Sequence, residues 1–233
     1  MENKVYIAID SDILRTLTYL DLLKKENGHI DIESIKDHSL KKDFNYFNKL
    51  LNAIKNDELR PLIVDAVFHE SKHSESLCSF MKEYCYFPNI NLVNYQDKNQ
   101  KARDLANLYC HEYTYKGQSF SAPMKSVFVA DINKYVPTND CFIMAQATIL
   151  NCCLVTSNRQ DFIYNKRSED RFENERAKGI ARINILNGYC QEDANGYYST
   201  PRPISLNSLM GMIKYDTEFL SPAEDLVKGD QIL

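Results

Sequence analysis

Three short apolar runs, each closing on polar or acidic residues and separated by helix-patterned stretches, constrain this chain more than any other feature. "KVYIAID" runs from Lys4 to Asp10, "PLIVDAVF" lies behind Arg60 and leads to Glu70, and "CCLVTS" runs from Cys152 to Ser157. Runs of this length and β-branched content read as buried strands. Between them, "ILRTLTYLDLLKK" places Ile13, Leu14, Leu17, Leu20 and Leu23 on one helical stripe, and "FNYFNKLLNAI" does the same with Phe44, Phe47, Leu51 and Ile54. Further stripes occur in "LCSFMKEYCYF" and "QKARDLANLYCHEY", with a short apolar segment, "NINLVNY", between them. "PTNDCFIMAQATIL" opens on Thr138 or Asn139 as an N-cap, which puts Asp140 in a first helical turn. Alternating strands and helices predict an α/β fold of three layers around a largely parallel sheet.

The acids follow the strands. In open parallel α/β sheets, functional groups gather beyond the carboxyl ends of the strands. Here Asp10 and Asp12 follow the first run, Glu70 the second and Asp161 the third, while Asp140 starts the helix feeding the third. Carboxylates converging on one edge repel one another unless a cation lies among them. Mg²⁺ or Mn²⁺ suits such an oxygen-rich site. Asp10, Glu70, Asp140 and Asp161 are therefore the expected metal ligands, and the first three are expected close enough to share one ion. Each has a simpler reading: Asp10–Ser11–Asp12 as a helix cap, Asp140 as a partner of a helix dipole, and Asp161 as a turn residue.

Composition narrows the class. The 233 residues, 44% hydrophobic and 26% charged, suit one large soluble domain or a domain with additions. No apolar stretch reaches the ~18 residues of a membrane span, and the N-terminus lacks a secretion-signal pattern. Seven cysteines without zinc spacing, two of them adjacent inside an apolar run, predict reduced core thiols and a cytoplasmic protein. A net charge of −4 argues against a protein that coats DNA, less against a nuclease whose own acids lower the total. Local basic runs exist at Lys98, Lys101 and Arg103, and at Arg159, Lys166, Arg167 and Arg171. From about Asn165 the text becomes charged and then rich in turn residues, giving a main domain over 1–165 and an extension over 166–233 packed on it. "SLNSLMGMI" in that extension reads as a short docking helix.

Three blocks resemble the PIN-domain nucleases. "VYIAIDSDIL" resembles their opening strand, and "VFHESK" their strand-to-helix glutamate. "PTNDCFIMAQATILNCCLVTSNRQDF" resembles their most distinctive block through Asp140, Ile143, Ala145, Ala147, Leu154, Val155, Thr156, Asp161 and Phe162. The resemblance implies a PIN-like, Rossmann-like sheet and hydrolysis of RNA phosphodiester bonds with Mg²⁺ or Mn²⁺. Asp10, Glu70, Asp140 and Asp161 would be catalytic, and Ser11, Thr156, Ser157, Asn158 and Arg159 would contact substrate or orient ligands. Toxin components of bacterial toxin–antitoxin pairs belong to this family, so an antitoxin-like inhibitor and a homodimer enter as partners beside RNA. Asn158 departs from the pattern, since many members carry aspartate there. Two other enzymes are patterned in the same residues. His69–Glu70–Ser71–Lys72–His73 matches a helical zinc-protease motif. Asp10–Ser11–Asp12 with Thr156 matches a haloacid-dehalogenase-type phosphatase in which Asp10 would be the nucleophile. A PIN-like RNA-binding scaffold without catalysis is the non-enzymatic reading.

Overall fold

The computed structural model describes residues 5–88, 95–110, 113–115, 118–120, 124–150, 152–158, 184–187, 202–204 and 226–233. In chain order the strands and α-helices are β1 (Val5–Ile9), α1 (Ser11–Asn27), α2 (His38–Lys55), β2 (Leu59–Leu62), α3 (Asp65–Ser71), α4 (Glu75–Tyr84), β3 (Tyr86–Pro88) and α5 (Tyr95–Cys110). They continue with β4 (Tyr113–Tyr115), β5 (Gln118–Phe120), β6 (Ser126–Val129), β7 (Lys134–Pro137), α6 (Asn139–Ile149), β8 (Cys153–Thr156), β9 (Asn184–Asn187), β10 (Arg202–Ile204) and β11 (Leu226–Lys228).

One sheet of seven strands, in the order β10-β9-β8-β1-β2-β3-β11, forms the centre. β1 pairs in parallel with both β2 and β8, and β2 pairs in parallel with β3. Consecutive residues Ile7, Ala8 and Ile9 of β1, and Cys153, Leu154 and Val155 of β8, are all fully buried. Successive strand side chains point to opposite faces, so both faces of the central strands are covered, as expected of an α/β domain layered on both sides. α1 packs on α2, α3 and α4, while α6 packs on α5 and α3.

The helical stripes are the buried ones. Ile13, Leu14, Leu17 and Leu20 of α1 and Phe44, Phe47, Leu51 and Ile54 of α2 enter the core. α1 starts at Asp10, whose side chain accepts from the Ser11 amide, and stops at Gly28, which takes the left-handed conformation with φ 75°. Beyond Lys24 and Lys25 in its last turn, that glycine reverses the chain without a Cβ penalty. Asp21 is the charged residue among the buried positions of α1 after its first turn. It is buried and paired with Lys55 at 2.6 Å and Lys25 at 2.9 Å. Burial alone pushes its carboxyl up, but the hydrogen bonds from Lys25 and Lys55 outweigh that and hold it below the ordinary value.

The sheet is largely parallel at its centre, as expected, and mixed at its edges: β9 and β10 add antiparallel beyond β8, and β11 adds antiparallel beyond β3. Two element boundaries differ from the sequence expectation. The strand expected through "PLIVDAVF" ends at Leu62, and Asp65–Ser71 is helical, so Glu70 sits in the last turn of α3 and not at a strand end. Asp65 in the first turn favours the helix dipole, and the Ala66 amide, which α3 itself leaves unpaired, donates to Gln146 Oε1 of α6 at 3.1 Å. "LCSFMKEYCYF" splits at Cys85, its last residues forming β3 beside β2. His69 and His73 do not share a helical face, because α3 ends at Ser71 before the second imidazole. Most of "NINLVNY" and all of "SLNSLMGMI" lie outside the described residues.

Strand order gives the sheet a topological switch. From β1 the chain moves to β2 and β3 on one side, and returns to β8 on the other. In open α/β sheets the usual ligand position lies beyond the carboxyl ends of the strands at such a switch, here β1 and β8.

Candidate active site at the carboxyl edge of the sheet

Asp10 leaves β1 at this edge. Its amide donates to the Val155 carbonyl at 3.0 Å, which extends the β1–β8 pairing one residue beyond the strand. The side chain is 4% exposed, and both oxygens are engaged. Oδ1 accepts from the Ser11 amide at 2.6 Å, and Oδ2 accepts from the Thr156 hydroxyl at 2.7 Å. Burial pushes the Asp10 carboxyl up to about 6. The Thr156 and Ser11 hydrogen bonds work against that shift, while repulsion from Asp12 and Glu70 adds to it. A buried carboxylate with acidic neighbours is thus held here by neutral donors.

Thr156 is fully buried at the end of β8 and serves two partners. Its hydroxyl donates to Asp10 and accepts from the Asn158 amide at 3.0 Å. That second contact folds the chain after β8 back over the edge. It carries Asn158 to Asp140, where Nδ2 donates to Oδ2 at 3.3 Å. Ser157 is half-buried in the intervening bend.

Glu70 reaches the same edge from α3. The Ser11 hydroxyl donates to its Oε2, and the Asn139 side-chain amide donates to its Oε1. Ser11 is buried, whereas Glu70 and Asn139 are exposed, so this part of the site opens to solvent. Glu70 also borders an open cleft of about 530 Å³ with Arg15, Tyr19 and His73 among its walls. Arg15 Nη1 donates to Asp12 at 3.0 Å.

Contacts therefore link Asp10 to Glu70 through Ser11, and Asp140 to Asp10 through Asn158 and Thr156. Asn139 joins Glu70 to the first turn of α6, the turn that carries Asp140. The simpler readings hold as well: Asp10 is the N-cap of α1, and Asp140 lies in the first turn of α6. Among the described residues, no three His, Cys, Asp or Glu side chains form a metal-binding group, so the three acids share an edge with hydroxyls and amides interposed. Asp161, Arg159 and Phe162 lie outside the described residues.

Asn139 is the site residue that sequence reasoning treated only as a cap. Its signal was available: a first-turn residue next to Asp140 faces the same end of the sheet. Chemically, the groups bonded to Asp10, Glu70 and Asp140 among the described residues are hydroxyls and amides. Together with the carboxylates, that set fits a hard cation in type, and Asp10, raised chiefly by burial and further by Asp12 and Glu70, is a carboxylate that an incoming cation would help to ionise. Comparisons with protein families, curated proteins and solved structures find no match for this chain.

Proposed function

We propose that this chain is a divalent-cation-dependent endoribonuclease working at the carboxyl edge of β1 and β8. The observation that carries the reading is the run of contacts from Thr156 through Asp10, Ser11 and Glu70 to Asn139. It draws residues from β1, α1, α3, α6 and β8 to one edge. Mg²⁺ or Mn²⁺ would be held by Asp10, Glu70 and Asp140, with Asp161 as the fourth acid named by the sequence. When bound, such an ion supplies a water of lowered pKa and neutralises charge on a phosphodiester.

The chain's own groups do the positioning. Thr156 and the Ser11 amide fix the two oxygens of Asp10, Asn139 orients Glu70, and Asn158 orients Asp140. Partners of this kind set the direction of ligand lone pairs. The preference for RNA, an antitoxin-like inhibitor and a homodimer rests on the resemblance of the sequence blocks to PIN-domain nucleases. A phosphatase using Asp10 as nucleophile is less well served, because after Thr156 the sequence offers Lys166 and Lys178 but no apolar run ending in two acids. Asn158 supports the scaffold alternative, since it sits beside Asp140 where a carboxylate would add a ligand.

Mn²⁺ calorimetry and cleavage of a labelled RNA, on the parent, Asp140→Asn and Asn158→Asp, test the reading. The parent should bind Mn²⁺ and cleave, Asp140→Asn should lose cleavage, and Asn158→Asp should tighten Mn²⁺. Cleavage that persists in Asp140→Asn sinks the proposal. A parent inert in both assays beside an active Asn158→Asp variant makes the natural protein the scaffold.

A further inference from the structure

The β6–β7 hairpin stands outside the main sheet, as a two-stranded sheet of its own. Phe128 and Tyr135 are directly opposite each other across it. Their ring centroids are 5.2 Å apart with planes tilted by 60°. A cross-strand aromatic pair accounts for the rings touching each other. It does not account for their exposure, 50% for Phe128 and 56% for Tyr135, or for Val127 at 50% and Ile132 at 55%. Exposed apolar groups on both faces and the turn of one hairpin mark a contact surface.

Two features say what that surface meets. Lys125 precedes β6 and Lys134 opens β7, both exposed, so the hairpin carries cations as well as rings, with Asp131 the acid at the tip. Strand alternation sets Lys134 on the face opposite Phe128 and Tyr135. The hairpin also runs straight into the candidate site. From Tyr135 the chain passes Pro137 and the N-cap Thr138 to Asn139, the partner of Glu70, and then Asp140. Four residues of chain span at most ~14 Å. Aromatic faces with nearby lysines suit unpaired bases, because every base has a π-face and every linkage a phosphate. A duplex hides those faces.

We propose that the β6–β7 hairpin is a base-stacking platform that holds an unpaired polynucleotide strand beside the carboxylate edge. The identity of the strand as RNA rests on the nuclease reading. Stacking on Phe128 and Tyr135 would anchor bases next to the linkage presented to the acids, and Lys134 would pair with a phosphate.

The test is fluorescence anisotropy of a labelled oligouridylate, alone and annealed to its complement, in chelator at low salt. The proteins are the parent, Phe128→Leu/Tyr135→Leu, the single Tyr135→Leu and Lys134→Gln. Leucines keep apolar area but remove the ring faces, and the single variants serve if the double variant fails to fold. Binding of the unpaired strand should weaken by roughly fivefold to a hundredfold in the double variant and less in the single variants. Duplex binding, thermal midpoint and Mn²⁺ binding should stay as in the parent. Unpaired-strand affinity within about twofold of the parent in a folded leucine variant overturns the proposal, given the usual size of a lost stacking contact. So does a parent that does not prefer the unpaired strand. A variant whose sedimentation changes while RNA binding does not makes the hairpin a surface between copies of this chain, which also overturns it. Failure of Mn²⁺ binding and cleavage would sink the nuclease reading and leave the chelator result standing by itself.

Discussion

Replacing Asp10 by asparagine should stabilise the cation-free protein at neutral pH while removing its activity. Burial raises the Asp10 carboxyl from its ordinary 3.8 to about 6, so the folded state favours the protonated form. With a raised folded pKa, the stability Asp10 contributes is fully present below 3.8 and is lost as pH rises through about 6. The full loss corresponds to roughly 3 kcal/mol, at 1.36 kcal/mol per pKa unit. Asparagine avoids that loss but keeps one carbonyl oxygen for the Ser11 amide and the Thr156 hydroxyl, which offsets about 1 kcal/mol. The net gain near pH 7.5 is about 2 kcal/mol, or roughly 4–8 °C in Tm for a chain of this size. Near pH 4 the variant should be level with the parent or slightly below it. Thermal unfolding in chelator from pH 4 to 8 measures the difference. Mn²⁺ should then raise the Tm of the parent and not of Asp10→Asn. A Tm difference that stays flat with pH, or a variant less stable than the parent at pH 8, would refute the assignment of Asp10 as a buried carboxylate that the cation-free fold strains to ionise.

Asp21→Asn should act oppositely, costing roughly 3 kcal/mol at pH 7 by leaving Lys25 and Lys55 without their buried partner. Because the Asp21 carboxyl is lowered, that contribution is present above 3.8 and fades only as pH falls through its folded value, which urea titrations at pH 7 and pH 3 would resolve. Gly229→Ala should destabilise by about 2 kcal/mol. A Cβ there would lie 2.2 Å from the Met81 carbonyl oxygen of α4, and a thermal midpoint equal to the parent's would refute that close packing of Gly229 on α4. Native alkylation followed by peptide mapping should modify Cys78, which is half-buried, and spare Cys152 and Cys153, whose thiols burial pushes up to about 12.

The parts of the fold legible in the sequence are those with a long stripe or a doubly buried run. α1, α2 and α6 each carry apolar residues at helical spacing, and β1 and β8 are runs in which nearly every residue is buried. The β2–α3 boundary was not legible, because Pro61 to Phe68 is apolar almost throughout and periodicity cannot separate strand from buried helix in so short a run. β3 hid for a related reason, as a continuation of the stripe of α4 past Cys85. The antiparallel edges come from β9, β10 and β11, short segments whose pairing with β8 and β3 is set by contacts remote in sequence. Closing both flanks of a parallel centre with such strands is a tertiary outcome that no local pattern encodes.

At the site, residue types were legible and their bonding was not. Asp10 follows β1 to the carboxyl edge, while Glu70 and Asp140 come to it from the helices α3 and α6. What no spacing reveals is that Ser11 would meet Glu70, 59 residues away, or that Asn139 would hold the other oxygen of the same carboxylate. These neutral donors matter to the physics of the edge. Carboxylates set side by side without a counter-ion would raise one another's pKa and weaken the fold. Interposing Ser11, Asn139 and Asn158 lets each acid keep a hydrogen bond while standing near its neighbours. Donors of this kind move more easily than a lysine or arginine ion pair, whose charge would compete with an incoming cation for the same oxygens. The amide at Asn158 therefore has two faces: it omits a charge that would strengthen cation binding, and it spares the cation-free protein the repulsion that charge would bring.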